Sequence, residues 1–224
     1  MIVVKGKHCG FCFGVKRAID TALNLGGDRK FVLGEIIHNE RVVNDLNNAG
    51  VATINTLDDV EFQKGDKLII RTHGEPKATY EKLNDLGVEV VDCTCPFVKD
   101  IQKKVNDYFY KGYKIVIIGN ASHPEVKGIN GWCENSALIV DENFDFSQIN
   151  DEKVCVVVQT TYSEKKFEKT IKNFTNTNAK IVDIFKTICY TTIERQKEAE
   201  RISSSCDAVI VSSVVIFSIC EITS

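Results

Sequence analysis

Short apolar runs rich in Val and Ile recur along the chain: FVLGEIIH (31–38), DKLIIRTH (66–73), VEVVDC (88–93), YKIVIIG (113–119), KVCVVVQ (153–159), AKIVDIF (179–185) and DAVIVSS (207–213). Their length and β-branched content predict buried strands. Between them, apolar positions fall at helical spacing in GVKRAIDTALNL, NERVVNDLNNAG, KATYEKLNDLG, FVKDIQKKVNDYFYKG, SEKKFEKTIKNF and TIERQKEAERISSS. Several of these are closed by Gly, as helix C-termini commonly are. Strand and helix alternate throughout, which predicts an α/β fold with mostly parallel sheets.

In such sheets ligands gather at the carboxyl ends of the strands, so the residues after each apolar run are where chemistry is expected. Those positions carry His38, His73, Cys93-Thr94-Cys95-Pro96, His123, Thr160 with Thr161, and Cys189. Similar intervals separate His38 from His123, His73 from Thr161, Cys12 from Cys95, and Cys95 from Cys189. The recurrence predicts a repeated α/β unit whose strand ends meet around a shared central site.

Composition narrows the partners. With 224 residues, 43% hydrophobic and 26% charged, the chain has material for one large domain or two to three small ones, which excludes disordered and collagen-like classes. A net charge of -3 argues against a nucleic-acid partner, which would require a broad basic footprint. The segment MIVVKGKHCGFCFGV lacks the basic head and apolar stretch of a signal peptide, and a cytoplasmic location is expected. In that reducing setting the nine cysteines are expected as ligands, catalytic thiols or core fillers rather than disulfides.

Three of the cysteines, Cys12, Cys95 and Cys189, each precede a helical pattern, and Pro96 at a first helical position supports one of those boundaries. A thiol there faces unpaired N–H groups and the positive helix end, which should lower its pKa from about 8.5 and favour metal ligation or nucleophilic attack. Three such thiols suit a four-iron cluster with one iron left open to substrate. Cys133, Cys155, Cys206 and Cys220 lie in or beside apolar runs and read as small buried hydrophobes. The alternative is a non-enzymatic redox-sensing module with a cysteine-ligated metal, such as a four-cysteine zinc site drawing on Cys9 and Cys93, since Cys9 and Cys12 have CxxC spacing. It leaves the partnership of Cys12, Cys95 and Cys189 without a reason.

Of the four histidines, His38, His73 and His123 follow apolar runs, whereas His8 reads as a bystander. Imidazoles can donate to phosphate oxygens and pass protons near neutral pH, so an anionic ligand is expected. Glu125, in His123-Pro124-Glu125, puts a carboxyl beside that site, as do Glu40 and Glu75 after the other two histidines. Thr160 and Thr161 are suited either to a substrate hydroxyl or to capping the next helix.

In order along the chain, GFCFGV at Cys12, EIIHN at His38, THG at His73, DCTCP at Cys95, HPEV at His123, QTT at Thr160 and ICYTTIERQ at Cys189 resemble the motifs of the 4-hydroxy-3-methylbut-2-enyl diphosphate reductases of the non-mevalonate isoprenoid pathway. HPE or QTT alone would say little, but the ordered set is specific and extends to about residue 211. The resemblance implies an oxygen-sensitive oxidoreductase with a 4Fe-4S cluster held by Cys12, Cys95 and Cys189. It implies diphosphate binding by His38, His73 and His123, a proton from Glu125 with His123 assisting, and substrate-orienting hydroxyls at Thr160 and Thr161. An electron donor such as a ferredoxin or flavodoxin is implied as partner, and neither nucleic acid nor membrane is. The family's fold implies a pseudo-three-fold arrangement of similar α/β units around the cluster, here 13–96, 97–180 and 181–224 with 1–12, the third incomplete.

The resemblance breaks after DAVIV. The family continues into a Ser- and Asn-bearing loop that clasps the diphosphate, whereas this chain reads SSVVIFSICEITS. A shifted reading frame or premature end of a longer gene is expected, a deliberate short form being the alternative, and without the clasp little or no activity is expected. The apolar stretch from Ala208 to Cys220 is shorter than the ~20 residues of a membrane span and is broken by Ser212 and Ser213.

Overall fold

A computed structural model of the chain describes residues 2–37, 39–150, 153–174, 178–211 and 216–220. Its strands are β1 (Ile2–Lys5), β2 (Lys30–Leu33), β3 (Val51–Ile54), β4 (Lys67–Ile70), β5 (Glu89–Asp92), β6 (Lys114–Ile118), β7 (Leu138–Val140), β8 (Lys153–Val158), β9 (Ile181–Ile184), β10 (Ala208–Val211) and β11 (Ile216–Cys220). The helices are α1 (Phe13–Leu23), α2 (Glu40–Asn48), α3 (Lys77–Asp85), α4 (Pro96–Tyr110), α5 (Pro124–Asn130), α6 (Glu164–Asn173) and α7 (Tyr190–Ser203). The expected α/β alternation is borne out. Among the described residues no helix is long and apolar enough to cross a membrane.

Two four-stranded parallel sheets share one topology, in the orders β3-β2-β4-β5 and β7-β6-β8-β9. Each is parallel because every crossover passes through a segment long enough to return to the same edge. The order reverses between β2 and β4 and again between β6 and β8, which opens a crevice at the strand carboxyl ends of each sheet. β9 starts at Ile181, beyond the expected unit boundary at 180, and pairs with β8, so residues 181–184 belong to the second sheet. The third sheet, β1-β11-β10, departs from the other two in being antiparallel.

The central strands are buried on both faces, which accounts for their unbroken apolar runs. Leu68, Ile69 and Ile70 of β4, and Ile115 to Ile118 of β6, are almost fully inaccessible. Residues of one sheet face divide from those of the other: Val32 and Ile69 pack with Ala18, Ile19 and Ala22 of α1, while Leu33, Leu68 and Ile70 pack with Leu83 of α3. The second sheet divides likewise, Val116 and Val156 packing with Phe167, and Ile117 and Val157 with Ile101 and Val126.

The strands stop earlier than the apolar runs suggest. β2 ends at Leu33 and β4 at Ile70, so His73 rides on a loop beyond the sheet rather than on a strand end, and His38 lies outside the described residues. The physical reason is a turn in each case: Gly34 leaves the sheet at φ +69°, and Gly74 N–H closes a turn onto the Arg71 carbonyl at 3.0 Å.

Gly74, also at φ +69°, lies where this loop meets α4. A Cβ there would collide with the Gln102 amide of α4 and lie 3.0 Å from Thr94 Cγ2. Gly112 has φ +78° with no heavy atom within 4 Å of the same position. Gly112→Ala is therefore expected to cost about 1 kcal/mol of backbone strain, and Gly74→Ala up to about 3 kcal/mol. Urea unfolding midpoints check this, and equal shifts for the two variants would show that the junction does not constrain Gly74.

Candidate active site

The three cysteines expected at helix starts are the N-caps of α1, α4 and α7: Cys12, Cys95 and Cys189, all with extended backbone. Each follows an edge strand of its sheet, β1, β5 and β9 in turn. Two of the loops are fixed in the same way. The Cys95 N–H donates to the Thr72 carbonyl at 3.0 Å, and the Cys189 N–H to the Thr160 carbonyl at 2.9 Å. The equivalence of β4 with β8 and of β5 with β9 thus extends beyond the strands into the loops.

All three cysteines line one cavity of about 210 Å³, together with Gly14, Thr72, His73, Glu125, Thr160, Thr161 and Arg195. A larger open groove of about 720 Å³ beside α4 is lined by neither cysteine nor histidine. Gly14 is pressed against Cys95, where an added Cβ would stand 3.0 Å from Sγ. Cys95 does not follow the expectation of a lowered pKa. Burial pushes its thiol up and outweighs the Phe97 and Val98 N–H groups that pull it down; Cys12 and Cys189 nearby raise it slightly further.

Cys9 and Cys93 do not line this cavity. Cys93 is buried in the core packed under α1, and that burial raises its pKa. Cys133 and Cys155 are fully buried, as expected, whereas Cys206 is only half-buried. Cys220 has no described side chain. Among the described residues no three His, Cys, Asp or Glu side chains converge on a single metal ion.

Glu125 is 2% exposed, in the first turn of α5. The Thr160 N–H donates to its Oε1 and the Thr160 hydroxyl to its Oε2, both at 2.6 Å. Burial nevertheless dominates and raises the Glu125 pKa, the two Thr160 bonds offsetting only part of it. The alternative of helix capping is settled for α6, whose N-cap is Ser163, leaving both threonines at the cavity. Thr161 Oγ1 accepts from Gln159 Nε2 at 2.8 Å.

His123 caps α5, its Nδ1 accepting the Glu125 N–H at 3.2 Å. Burial and then the Arg71 charge lower its pKa, so the ring is neutral at neutral pH and its proton resides on Nε2. The His73 and His123 rings meet edge to face at 5.4 Å. His38 lies outside the described residues; its neighbour Asn39 caps α2 through the Val42 N–H. Glu75 pairs with Arg71 at 3.7 Å and Glu40 lies in the first turn of α2, so of the three carboxyls considered only Glu125 lines the cavity.

Arg71 and Arg195 were not singled out from the sequence. Arg71 is the charged residue that directly follows the buried run of β4 and packs against Gly34, whose missing Cβ leaves room for the guanidinium. Arg195 lies two turns into α7 from Cys189, and helical spacing from that cysteine through Thr192 was the available signal.

An α/β framework with cysteine-capped helices, a buried carboxyl and neutral histidine around one cavity defines a candidate redox or metal-dependent enzyme. The profile of the LytB protein family matches residues 3–214. The 4-hydroxy-3-methylbut-2-enyl diphosphate reductase of Caldanaerobacter subterraneus subsp. tengcongensis is 47% identical over 94% of this chain and 75% of its own length. That of Clostridium perfringens is 41% identical over 93% and 74%. A solved structure of (E)-4-hydroxy-3-methyl-but-2-enyl diphosphate reductase, described as the terminal enzyme of the non-mevalonate pathway, superposes with a TM-score of 0.74 at 36% identity, covering 91% of this chain and 74% of that one. The E-1-hydroxy-2-methyl-but-2-enyl-4-diphosphate reductase of Plasmodium falciparum gives a TM-score of 0.82 at 30% identity, over 92% and 67%. The chain belongs to the LytB family and spans about three quarters of the length of these curated relatives.

The buried carboxyl gives stability a definite pH dependence. The folded chain keeps a proton on Glu125 that the unfolded chain releases above the ordinary value of 4.5, so raising the pH through that interval disfavours folding. Glu125→Gln is expected to flatten this decline. Urea midpoints measured as a function of pH check it, and parallel curves for the two proteins would show that Glu125 is charged in the folded state.

Proposed function

We propose that the chain reductively removes the allylic hydroxyl of 4-hydroxy-3-methylbut-2-enyl diphosphate, giving isopentenyl and dimethylallyl diphosphates. Two electrons and two protons enter and the oxygen leaves as water. The observation that carries this reading is the Glu125–Thr160 pair, a buried protonatable carboxyl joined to a hydroxyl in the cavity shared by three cysteines.

The residues fit an iron–sulfur cluster held by Cys12, Cys95 and Cys189. Their thiols share one cavity without converging on a single ion, which suits a cluster with one thiolate per iron better than mononuclear zinc. Gly14 leaves beside Cys95 Sγ a space that a Cβ would fill. When bound, the cluster supplies the electrons and a Lewis-acidic iron for the hydroxyl oxygen. The electrons come from an external donor such as a ferredoxin or flavodoxin.

The chain's own groups handle the proton and the diphosphate. The Thr160 N–H occupies Glu125 Oε1, so the carboxyl proton belongs on Oε2, facing Thr160 Oγ1. In that state Oε2–H donates to Oγ1 and the threonine hydroxyl hydrogen is free for the substrate oxygen. Neutral His123 offers Nε2–H as a donor, and His73 and His38 would bind the same diphosphate from the first unit. Arg71, whose charge already acts on His123, adds a fixed cation. Thr161 lines the wall beside Thr160 and helps to orient the substrate. The presence of three sheets supports the reading of three units, with the second extended through β9.

The test is a dithionite-driven assay on the hydroxylated diphosphate after anaerobic reconstitution with iron and sulfide. Feeble turnover by the 224-residue chain is the expected result, and robust turnover would overturn the expectation of impaired activity. Glu125→Gln should keep the brown colour and lose roughly 10²–10⁴ in kcat. Undiminished turnover by that variant would remove Glu125 from proton delivery.

A further inference from the structure

The three cysteines are held by different bodies of the fold. Cys12 heads α1, whose Ala18, Ile19 and Ala22 lie in the core of the first sheet, and Gly14 of the same helix abuts Cys95. Cys189 heads α7, which is held by the second sheet: Ile188 and Ile193 pack with its core. Gln196 accepts the Glu164 N–H and donates to the Tyr162 carbonyl, both at 3.0 Å. Core packing therefore sets Cys12 against Cys95 but leaves its place relative to Cys189 to another device.

That device is a strap on residues 7–10. The segment between β1, which ends at Lys5, and α1, which starts at Phe13, has no regular structure. Glu198 of α7 accepts the Lys7 N–H at Oε1 and the His8 N–H at Oε2, both at 2.8 Å. These bonds hold its pKa below the ordinary carboxylate value. One turn toward Cys189, Arg195 Nη2 donates to the Gly10 carbonyl at 2.6 Å. Gly6 allows the close approach, since a Cβ there would lie 3.1 Å from Glu198 Oε2. Two charge-assisted bonds to adjacent amides fix a loop in orientation as well as in place.

We infer that Glu198 is a positioning residue, whose clasp on Lys7 and His8 sets the Cys12 thiol relative to Cys189. The inference rests on the reading of Cys12, Cys95 and Cys189 as ligands of one cluster. Its consequence is selective: losing Glu198 disturbs the Cys12–Cys189 pair and spares the Cys12–Cys95 pair.

The experiment uses the full reduced, metal-free chain carrying Cys9→Ser, so that Cys12 alone reports from its peptide. Thiols are bridged with a bifunctional bimane under argon and the bridged peptides quantified by mass spectrometry. Glu198→Ala is expected to lower the Cys12–Cys189 yield about tenfold, as loss of bonds to a charged acceptor would, with the Cys12–Cys95 yield unchanged. Glu198→Gln, which keeps one acceptor, should fall between. Unchanged Cys12–Cys189 yields in both variants, or no such bridge in the parent, would overturn the inference. If Glu198→Ala loses both bridges through unfolding, the Gln variant decides by the same ratio. Separately, failure of the parent to take up iron and sulfide would sink the cluster reading and leave the bridging result standing.

Discussion

The site depends on bringing the first turns of three helices to one cavity, although those helices lie far apart in the chain. The first N–H groups of a helix have no partner within it, and their combined dipole favours an anion. At α1, α4 and α7 the capping residue is a cysteine, so each helix presents those amides alongside a thiol. Burial works the other way: at Cys95 it outweighs the amides and keeps the thiol protonated in the metal-free protein. A bound metal cluster would reverse that balance, since coordination deprotonates a thiol outright.

The proton-bearing residues obey the same physics. Burial favours the neutral form of Glu125, and the two bonds from Thr160 offset only part of it. His123 is neutral for a related reason, burial reinforced by a neighbouring cation. One acid and one neutral imidazole, two residues apart, thus acquire distinct tasks from their surroundings. The link is local, because the Glu125 backbone N–H fixes the His123 tautomer while the Glu125 side chain reaches across to the loop after β8.

The central strands and the cysteine caps were legible in the sequence because each has a strong local signal. β6 and β8 are unbroken apolar runs, and Pro96 marks the start of α4. Elements of weak signal were missed: β3 has four residues buried only at its two ends, β7 has three residues, and α5 is a seven-residue helix concealed within the HPE motif. His73 was placed on a strand end because nothing local distinguishes DKLIIRTH from one continuous strand; the turn that Gly74 closes onto Arg71 does so only in three dimensions. The lowered thiol pKa failed at Cys95 because burial is a tertiary quantity, invisible to helix position alone. Arg71 and Arg195 carried only weak signals, a charge at the end of a buried run and helical spacing from Cys189, and Glu198 acts on a distant segment with no mark in sequence spacing. The recurrence of His38 with His123, and of Cys95 with Cys189, was readable because β2 and β6, and β5 and β9, hold equivalent places in two sheets of one topology.

The central claim is that the three capping cysteines, and not the CxxC pair or the buried Cys93, define the metal-binding centre. Iron and acid-labile sulfide content, measured after anaerobic reconstitution of single Cys→Ser variants, tests it directly. The account predicts that the brown absorption and the sulfide are lost in Cys12→Ser, Cys95→Ser and Cys189→Ser, and retained in Cys9→Ser and Cys93→Ser. Loss that follows Cys9 and Cys93, with Cys189 dispensable, would contradict it and point to a site built on the N-terminal half alone.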